Sequence, residues 1–287
     1  EHPQGGAVIN AAIRIDGRCP IGARARRIAE PVVRITIDPA AGPIVCTELA
    51  HLEDYNSPLA PGALPKCVVL FCGVLSLADP QHRSLAEQLA QSGGGMEIES
   101  WSRLPTGSGL GTSSILAAAL VAAVGLASGR DYAPDALTHA VLQVEHTLAR
   151  PNPDPRPDPS PSPSPNPNQV EQMLTTGGGW QDQAGGILPG IKRCASAAAL
   201  PLSVTSRVVP LAEATYATLD HHLQLVYTGK TRLARNLLQD VLRRWYSGNP
   251  AILENVRGLV SNAGALEAAL LRGDVAAVGA CVSAYWE

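Results

Sequence analysis

The sequence lacks the hallmarks of several common protein classes. Its six cysteines and seven histidines show no CxxC pair and no spacing typical of zinc ligands. The longest apolar run, 115–127, is shorter than the roughly 20 residues that span a bilayer. The densest basic run, 24–27, has no interleaved aromatic side chain, and the net charge is only −3. We therefore expect neither nucleic acid nor a membrane as a partner.

Composition favours a globular enzyme. The 287 residues, 45% of them hydrophobic, suffice for one large core or two modest lobes. No basic and apolar secretory leader opens the chain, and we interpret the cysteines as small core residues of a reduced, cytoplasmic protein. The basic run is interpreted as a solvated edge strand, with a contact surface for another domain as the alternative.

The segment LPTGSGLGTSS, 104–114, is followed directly by an alanine-rich apolar stretch that is predicted to form a helix. Gly107, Gly109 and Gly111 have no Cβ, so the backbone can adopt left-handed dihedrals and bring N–H groups close to an anion. The positive end of the following helix adds to this attraction. The segment therefore predicts a phosphate-binding loop.

Two better-known glycine motifs do not fit this loop. The dinucleotide fingerprint requires a third glycine where Thr112 stands, and the Walker loop requires Gly-Lys before its hydroxyl residue. The remaining alternative is a flexible loop in which Thr112 or Ser113 caps the helix.

A second glycine-rich segment, TTGGGWQDQAGGILPGIK at 175–192, places Asp182 between two glycine clusters. Transfer of a phosphoryl group to a sugar hydroxyl requires a nearby proton acceptor, and Asp182 can serve as that base. The alternative role for Asp182 is to cap a helix that begins near Gln183. The two roles are compatible.

The order of a short strand, the pattern PxGxGLGxSS and a helix resembles the ATP-binding motif of the GHMP kinases. The segments TTGGGWQDQ, PGIK and YTGKTRLARNLLQDVLRRWY, with IRIDGRCPIGARARRI near the start, narrow the resemblance to the fucokinases. It covers most of the chain from Gly5 to Glu287.

The resemblance implies an α+β GHMP kinase fold. An N-terminal lobe of the ribosomal protein S5 domain 2-like kind is expected over 1–200, and part of a helix-rich C-terminal lobe over 201–287. The sugar-binding segment of the family would precede Glu1 and its last glycine-rich motif would follow Glu287, so truncation at both ends is expected. An upstream nucleotidyltransferase-like domain is also expected, since fucokinases often carry one.

The resemblance further implies ATP-dependent phosphorylation of the anomeric hydroxyl of L-fucose, with Mg2+, for GDP-fucose salvage. Asp182 matches the catalytic aspartate. Metal ligands are expected at Ser113 and at Glu171 or Glu145. Gly178, Gly179, Trp180 and Lys230 are candidates for substrate contact. The ATP phosphates are expected against Pro105, Gly107, Ser108, Gly109, Leu110, Gly111, Thr112, Ser113 and Ser114.

Two alternatives to a fucokinase stay open. One is a kinase for another sugar, such as galactose or a heptose phosphate. The other is a catalytically silent ATP-binding or regulatory module.

A proline-rich insertion, 146–170, begins directly after a copy of Gln-Val-Glu at 143–145 and runs into a second copy at 169–171. Proline occupies every odd position from Pro151 to Pro167, which favours a disordered, polyproline-like segment. It is either a genuine insertion able to bind an aromatic-lined groove or an artefact of transcript annotation. In the second case Glu145 and Glu171 are the same functional residue.

Hydrophobic periodicity predicts strands at 7–15, 32–37, 68–74, 96–101 and 223–227, and helices at 231–246 and 250–271. Asn249 and Pro250 are expected to open the last of these helices. His221 and His222 are interpreted as turn or surface residues.

Overall fold

The computed structural model describes residues 5–57, 60–105, 108–149, 179–199, 201–226, 229 and 235–286. The chain divides into two compact units. We call 1–13, 107–109 and 164–287 the three-stranded unit, and 14–106 and 110–163 the four-stranded unit. The lobe boundary expected near residue 200 stays a prediction.

The strands are β1 (Gly6–Ala11), β2 (Ile21–Ile28), β3 (Val33–Thr36), β4 (Ile44–Cys46), β5 (Gly95–Ser102), β6 (Ile191–Ser196) and β7 (Val204–Val208). The helices are α1 (Ala63–Phe71), α2 (Leu85–Gln91), α3 (Thr112–Ala127), α4 (Pro134–Ala149), α5 (Gln181–Ile187), α6 (Glu213–His222), α7 (Arg235–Tyr246), α8 (Pro250–Arg272) and α9 (Val275–Trp286). A 3-10 helix spans Leu49–Asn56.

The sheet of the four-stranded unit has the order β2-β5-β3-β4. Its pairs are antiparallel except β3 and β5, which run parallel. Helix α3 packs on β2 and β5. The alternating residues Val33 and Ile35 of β3 are fully buried, as are Met96 and Ile98 of β5 and Val121 of α3. Burial of this apolar surface stabilises the unit and fixes the axis of α3 against the sheet.

The strand expected at 68–74 is wrong, because residues 63–71 form helix α1. Cys67, Val68 and Val69 are consecutive and all buried, since α1 packs against the 3-10 helix, α3 and α4. A short, continuous apolar run does not distinguish a buried strand from a buried helix by its periodicity.

The edge strand predicted for the basic run is confirmed, since β2 lies at one edge of its sheet. Its arginines nevertheless have partners within the unit. Arg24 lies over the Trp101 ring, Arg26 pairs with Glu97, and Arg27 donates hydrogen bonds to the carbonyls of Ala127 and Gly94. Contacts with other residues of the unit, and not solvent alone, therefore surround these arginines.

The sheet of the three-stranded unit has the antiparallel order β1-β6-β7. Arg193 of β6 and its cross-strand partner Arg207 of β7 both form ion pairs with Glu267 of α8, so α8 covers one face of the sheet. The neighbouring residue Lys192 points to the other face, because side chains alternate along a strand. Helix α5 packs on β1, β6 and β7.

Helix α8 confirms the expected start and length. The Asn249 side chain accepts hydrogen bonds from the N–H groups of Ala251 and Ile252, Pro250 follows the cap, and Gly273 ends the helix at a φ of 69°. Helix α7 agrees with its expected range within the described residues.

Two expected strands differ from the structure. Strand β1 ends at Ala11 rather than continuing to residue 15. Residues 223–226 form no strand and have exposed side chains, while residue 227 lies outside the described residues. The adjacent His221 and His222 lie exposed at the end of α6, as expected.

Four cysteines confirm their expected core positions. Cys46, Cys67, Cys72 and Cys194 are buried, whereas Cys19 is exposed and Cys281 half-buried. Burial raises the pKa of the Cys67 thiol to about 12 and that of Cys72 to about 11, because a thiolate is poorly solvated in an apolar core.

Helix α4 continues through residue 149, so the first four residues of the expected insertion are helical. The remainder, 150–170, lies outside the described residues and its disorder stays a prediction. Within the residues that are described, none of the helices has the combination of length and apolarity needed to cross a bilayer.

Gly95 and Gly258 provide a matched pair of glycine-to-alanine changes. A Cβ at Gly95 would lie 1.9 Å from the Glu30 carbonyl oxygen, whereas one at Gly258 on α8 would meet nothing within 4 Å. We expect Gly95→Ala to lower the free energy of unfolding by about 3 kcal/mol, and Gly258→Ala to raise it by about 0.5–1 kcal/mol. Chemical denaturation measures both, and a Gly95→Ala protein as stable as the parent would contradict the packing at β5.

Candidate active site

The backbone of the first glycine-rich loop has the left-handed conformation that its sequence predicted. Gly109 has a φ of 76° and Gly111 a φ of 65°. L side chains rarely adopt these dihedrals, so glycine is strongly favoured at both positions. Gly107 lies outside the described residues.

Helix α3 begins at Thr112 with Gly111 in the N-cap position and no side-chain cap. The alternative in which Thr112 or Ser113 caps the helix is therefore wrong. The first turn of a helix has N–H groups without intrahelical partners and carries a partial positive charge. A 16-residue helix that begins after two left-handed glycines can bind an anion such as a phosphate.

The hydroxyl residues at this end of α3 differ in exposure. Ser113 is exposed, Thr112 is half-buried and Ser114 is buried. Ser113 is therefore the residue whose hydroxyl is most accessible to a ligand. Of the other loop residues, Pro105 and Gly109 are exposed, while Ser108 and Leu110 are half-buried.

Asp182 is the second residue of the seven-residue helix α5, and Trp180 occupies the N-cap position. Asp182 is therefore not the helix cap that one reading of the sequence suggested. An acidic residue in the first turn is nevertheless favourable, because it faces the positive end of the helix dipole.

The carboxylate of Asp182 is accessible but incompletely hydrated. The residue is exposed by surface area, yet surrounding protein atoms exclude part of its hydration shell and raise the pKa of the Asp182 carboxyl above its ordinary value. Accessibility allows contact with a substrate hydroxyl, and a raised pKa makes the carboxylate a stronger base.

The other candidates near Asp182 are divided between surface and core. Gly179 is exposed, whereas Trp180 is only 3% exposed, and its indole N–H is buried without a hydrogen-bond partner. The Trp180 ring therefore presents little surface to a substrate. Gly178 and Lys230 lie outside the described residues.

Lys192 is a buried basic residue at the end of the second glycine-rich segment, 175–192. The sequence alone predicts no role for this residue. Its side chain is fully buried, and Nζ donates a hydrogen bond to the Gly190 carbonyl oxygen at 3.2 Å. Burial lowers the pKa of Lys192 below its ordinary value, because the ammonium loses hydration. The alternating burial of Lys192, Cys194 and Ser196 follows strand periodicity, which was the available sequence signal.

Two expected magnesium ligands lie in the four-stranded unit. Ser113 is on α3 and Glu145 on α4, and these helices pack together. Mg2+ is usually held by one or two protein carboxylates together with phosphate oxygens and water, so this donor set fits the ion. Among the described residues no cluster of three or more His, Cys, Asp or Glu forms a metal site, and Glu171 lies outside them.

A family model, the GHMP kinases N terminal domain, matches residues 81–153. The chain is also similar to a solved D-glycero-D-manno-heptose 1-phosphate kinase from Bacteroides thetaiotaomicron, with a TM-score of 0.59 and 14% identity over 98% of this chain and 70% of that one. The chain has the GHMP kinase fold, and residues 81–153 match the N-terminal domain of the GHMP kinases.

Within that superfamily the chain resembles the fucokinases. It is 30% identical over 286 residues to an L-fucokinase/L-fucose-1-P guanylyltransferase of Bacteroides fragilis, covering 99% of this chain and 27% of the relative. It is 31% identical over 289 residues to a bifunctional fucokinase/GDP-fucose pyrophosphorylase of Arabidopsis thaliana. That alignment covers 98% of this chain and 23% of the relative. The chain thus spans about a quarter of the length of these relatives.

Replacement of Lys192 tests the buried ammonium. A lowered pKa means that the unfolded chain binds more protons than the folded one, so this residue makes stability rise with pH between its folded and unfolded pKa values. We expect Lys192→Met to raise the free energy of unfolding at pH 7 by about 1 kcal/mol. The variant should also lack the increase of stability with pH that the Lys192 side chain causes.

Denaturation of both proteins between pH 7 and 10 measures the slope of stability with pH. Identical slopes for the parent and Lys192→Met would contradict a buried, poorly hydrated ammonium.

Proposed function

We propose that the chain is the kinase part of an ATP-dependent sugar 1-kinase that phosphorylates L-fucose to fucose 1-phosphate. The observation that carries this proposal is the start of α3, where left-handed glycines precede an uncapped helix of a GHMP kinase N-terminal domain. The similarity to two fucokinases over almost the whole chain supports the choice of sugar.

The start of α3 binds the phosphates of ATP. Gly109 and Gly111 permit close backbone approach, and the first-turn N–H groups of α3 donate to phosphate oxygens. Pro105, Gly107, Ser108 and the remaining loop residues to Ser114 complete the proposed binding segment.

Ser113 and a glutamate, Glu145 or Glu171, hold magnesium in this proposal. Bound magnesium neutralises phosphate charge during phosphoryl transfer. Ser113 offers an exposed hydroxyl oxygen and Glu145 a carboxylate on the adjacent helix. Both are hard oxygen donors of the kind that this ion prefers.

Asp182 accepts the proton of the sugar hydroxyl as its oxygen attacks the γ-phosphorus of ATP. The bond from the γ-phosphorus to the bridging oxygen breaks, and ADP leaves with the bond electrons. The exposed position of Asp182 in the first turn of α5 supports this role. Contacts of Gly178, Gly179 and Lys230 with the sugar belong to the proposal as well.

The longer polypeptide is proposed to carry a nucleotidyltransferase-like region, since both relatives are named as bifunctional enzymes. A cytoplasmic location is part of the same proposal. A kinase for galactose or a heptose phosphate and a silent ATP-binding module are the competing outcomes of the assays below.

Sugar-dependent release of ADP from magnesium-ATP tests the proposed substrate. We expect release with L-fucose and none above background with galactose, with a heptose 1-phosphate or without sugar. The polypeptide that contains these 287 residues is assayed with and without residues 146–171, since their removal joins the two copies of Gln-Val-Glu into one. Turnover with a different sugar would replace the substrate, and ATP binding without turnover in either form would support the silent module.

Replacement of Asp182 tests the proposed base. We expect Asp182→Asn to lower kcat by about 1000-fold while the Kd for magnesium-ATP changes less than about twofold. The matched control is Asp220→Asn, which neutralises an exposed carboxylate on α6 of the same unit. Unchanged turnover in Asp182→Asn would remove this residue from the mechanism.

The same assay gives a pH dependence with a definite direction. Turnover rises with pH as Asp182 loses its proton, and its raised pKa places this rise above the pH at which an ordinary aspartate titrates. The rise is expected in the parent and in Asp220→Asn.

A further inference from the structure

A side chain from β1 contacts the helix that carries Asp182. Asn10 donates a hydrogen bond from Nδ2 to the carbonyl oxygen of Gln181 at 2.8 Å. Gln181 is the first residue of α5 and directly precedes Asp182. The peptide group that joins Gln181 to Asp182 is therefore held by this amide.

Gly185 gives independent evidence that Asn10 and α5 fit closely together. A Cβ built at Gly185 would lie 2.2 Å from Nδ2 and 2.9 Å from Cγ of Asn10. Gln181 and Gly185 are four residues apart and thus lie on the same face of α5. The Asn10 amide therefore lies against the turn of α5 that contains Asp182. Only glycine at position 185 leaves room for this amide.

The segment after α5 is held by the same pair of strands. Asn10 and Lys192 are cross-strand partners of β1 and β6. The Gly190 carbonyl, between α5 and β6, accepts hydrogen bonds from Lys192 Nζ at 3.2 Å and from the N–H of Ala12 at 3.0 Å. Contacts from Asn10, Ala12 and Lys192 thus hold the start of α5 and the turn that follows it.

We propose that Asn10 is a positioning residue that fixes the catalytic Asp182 by holding the first turn of α5. This inference rests on the proposed function of Asp182. A seven-residue helix is too short to be stable by itself, so its orientation depends on such tertiary contacts. A displacement of about 1 Å at a reacting group can lower a rate about 100-fold.

The first test compares two asparagines that donate to backbone carbonyls in the same unit. Asn262 Nδ2 on α8 donates to the Cys281 carbonyl at 2.9 Å and, like Asn10, is half-buried. We expect Asn10→Ala to lower kcat between about 10- and 100-fold with the KM for ATP within about threefold. Asn262→Ala is expected to leave kcat within about twofold.

A double-mutant cycle tests the contact itself. Gly185→Ala alone should lower kcat, since the new methyl group displaces the Asn10 amide. In an Asn10→Ala background the obstructing amide is absent, so the same change should reduce kcat by a much smaller factor. Equal factors in both backgrounds would show that Asn10 and Gly185 do not act together.

Hydrogen exchange of the α5 amides separates this inference from the proposed function. Asn10→Ala should accelerate exchange in peptides covering 181–187 by about tenfold relative to peptides of α8, whereas Asn262→Ala should not. If the parent protein shows no sugar-dependent turnover, the proposed function fails and this exchange still decides whether Asn10 holds α5.

If Asn10→Ala does not fold, Asn10→Asp keeps the side-chain shape and places an acceptor oxygen opposite the Gln181 carbonyl. The expected exchange and kcat changes are then in the same direction. Unaltered exchange in 181–187 for a folded variant, or an equal loss of kcat in Asn262→Ala, would overturn the positioning role.

Discussion

The antiparallel pairing of β1 with β6 is the constraint on which the arrangement around Asp182 depends. It joins residues 6–11 to residues 191–196, and each face of the resulting sheet is covered by a different helix. Arg193 meets Glu267 of α8 on one face, while Asn10 meets the start of α5 on the other. Because cross-strand partners point to the same face, a slip of β1 by one residue against β6 would turn Asn10 to the face opposite α5.

The two glycine-rich segments use glycine for different physical reasons. Gly109 and Gly111 have positive φ values, so their role lies in the backbone conformation that precedes α3. Gly185 lies within a helix and is required for space, because any side chain there would collide with Asn10. The first kind of glycine allows backbone N–H groups to approach an anion closely, whereas the second lets a strand side chain reach the helix backbone.

The parts of the site that could be predicted from the sequence are those with local causes. The conformation of the first glycine-rich loop, the start of α3 and the strand before it depend on residues within about 20 positions of one another, where glycine spacing and periodicity carry the information. The buried helix α1 was mistaken for a strand because its apolar residues are consecutive and both structures bury such a run. Trp180 was expected to contact substrate, yet it is buried in the folded chain, a property that its neighbours in the sequence do not reveal.

The sequence by itself determined the chemistry available to the protein: glycines that allow close backbone approach, the Ser113 hydroxyl as an oxygen donor, and Asp182 as a carboxylate between glycine clusters. These properties belong to residue types and their spacing. The tertiary structure alone decided which of the residues are exposed, why the Asp182 carboxyl has a raised pKa, and that Asn10, 172 positions away, contacts the helix of Asp182. Burial and long-range hydrogen bonds arise from packing between distant segments, and no local pattern encodes which segments will meet.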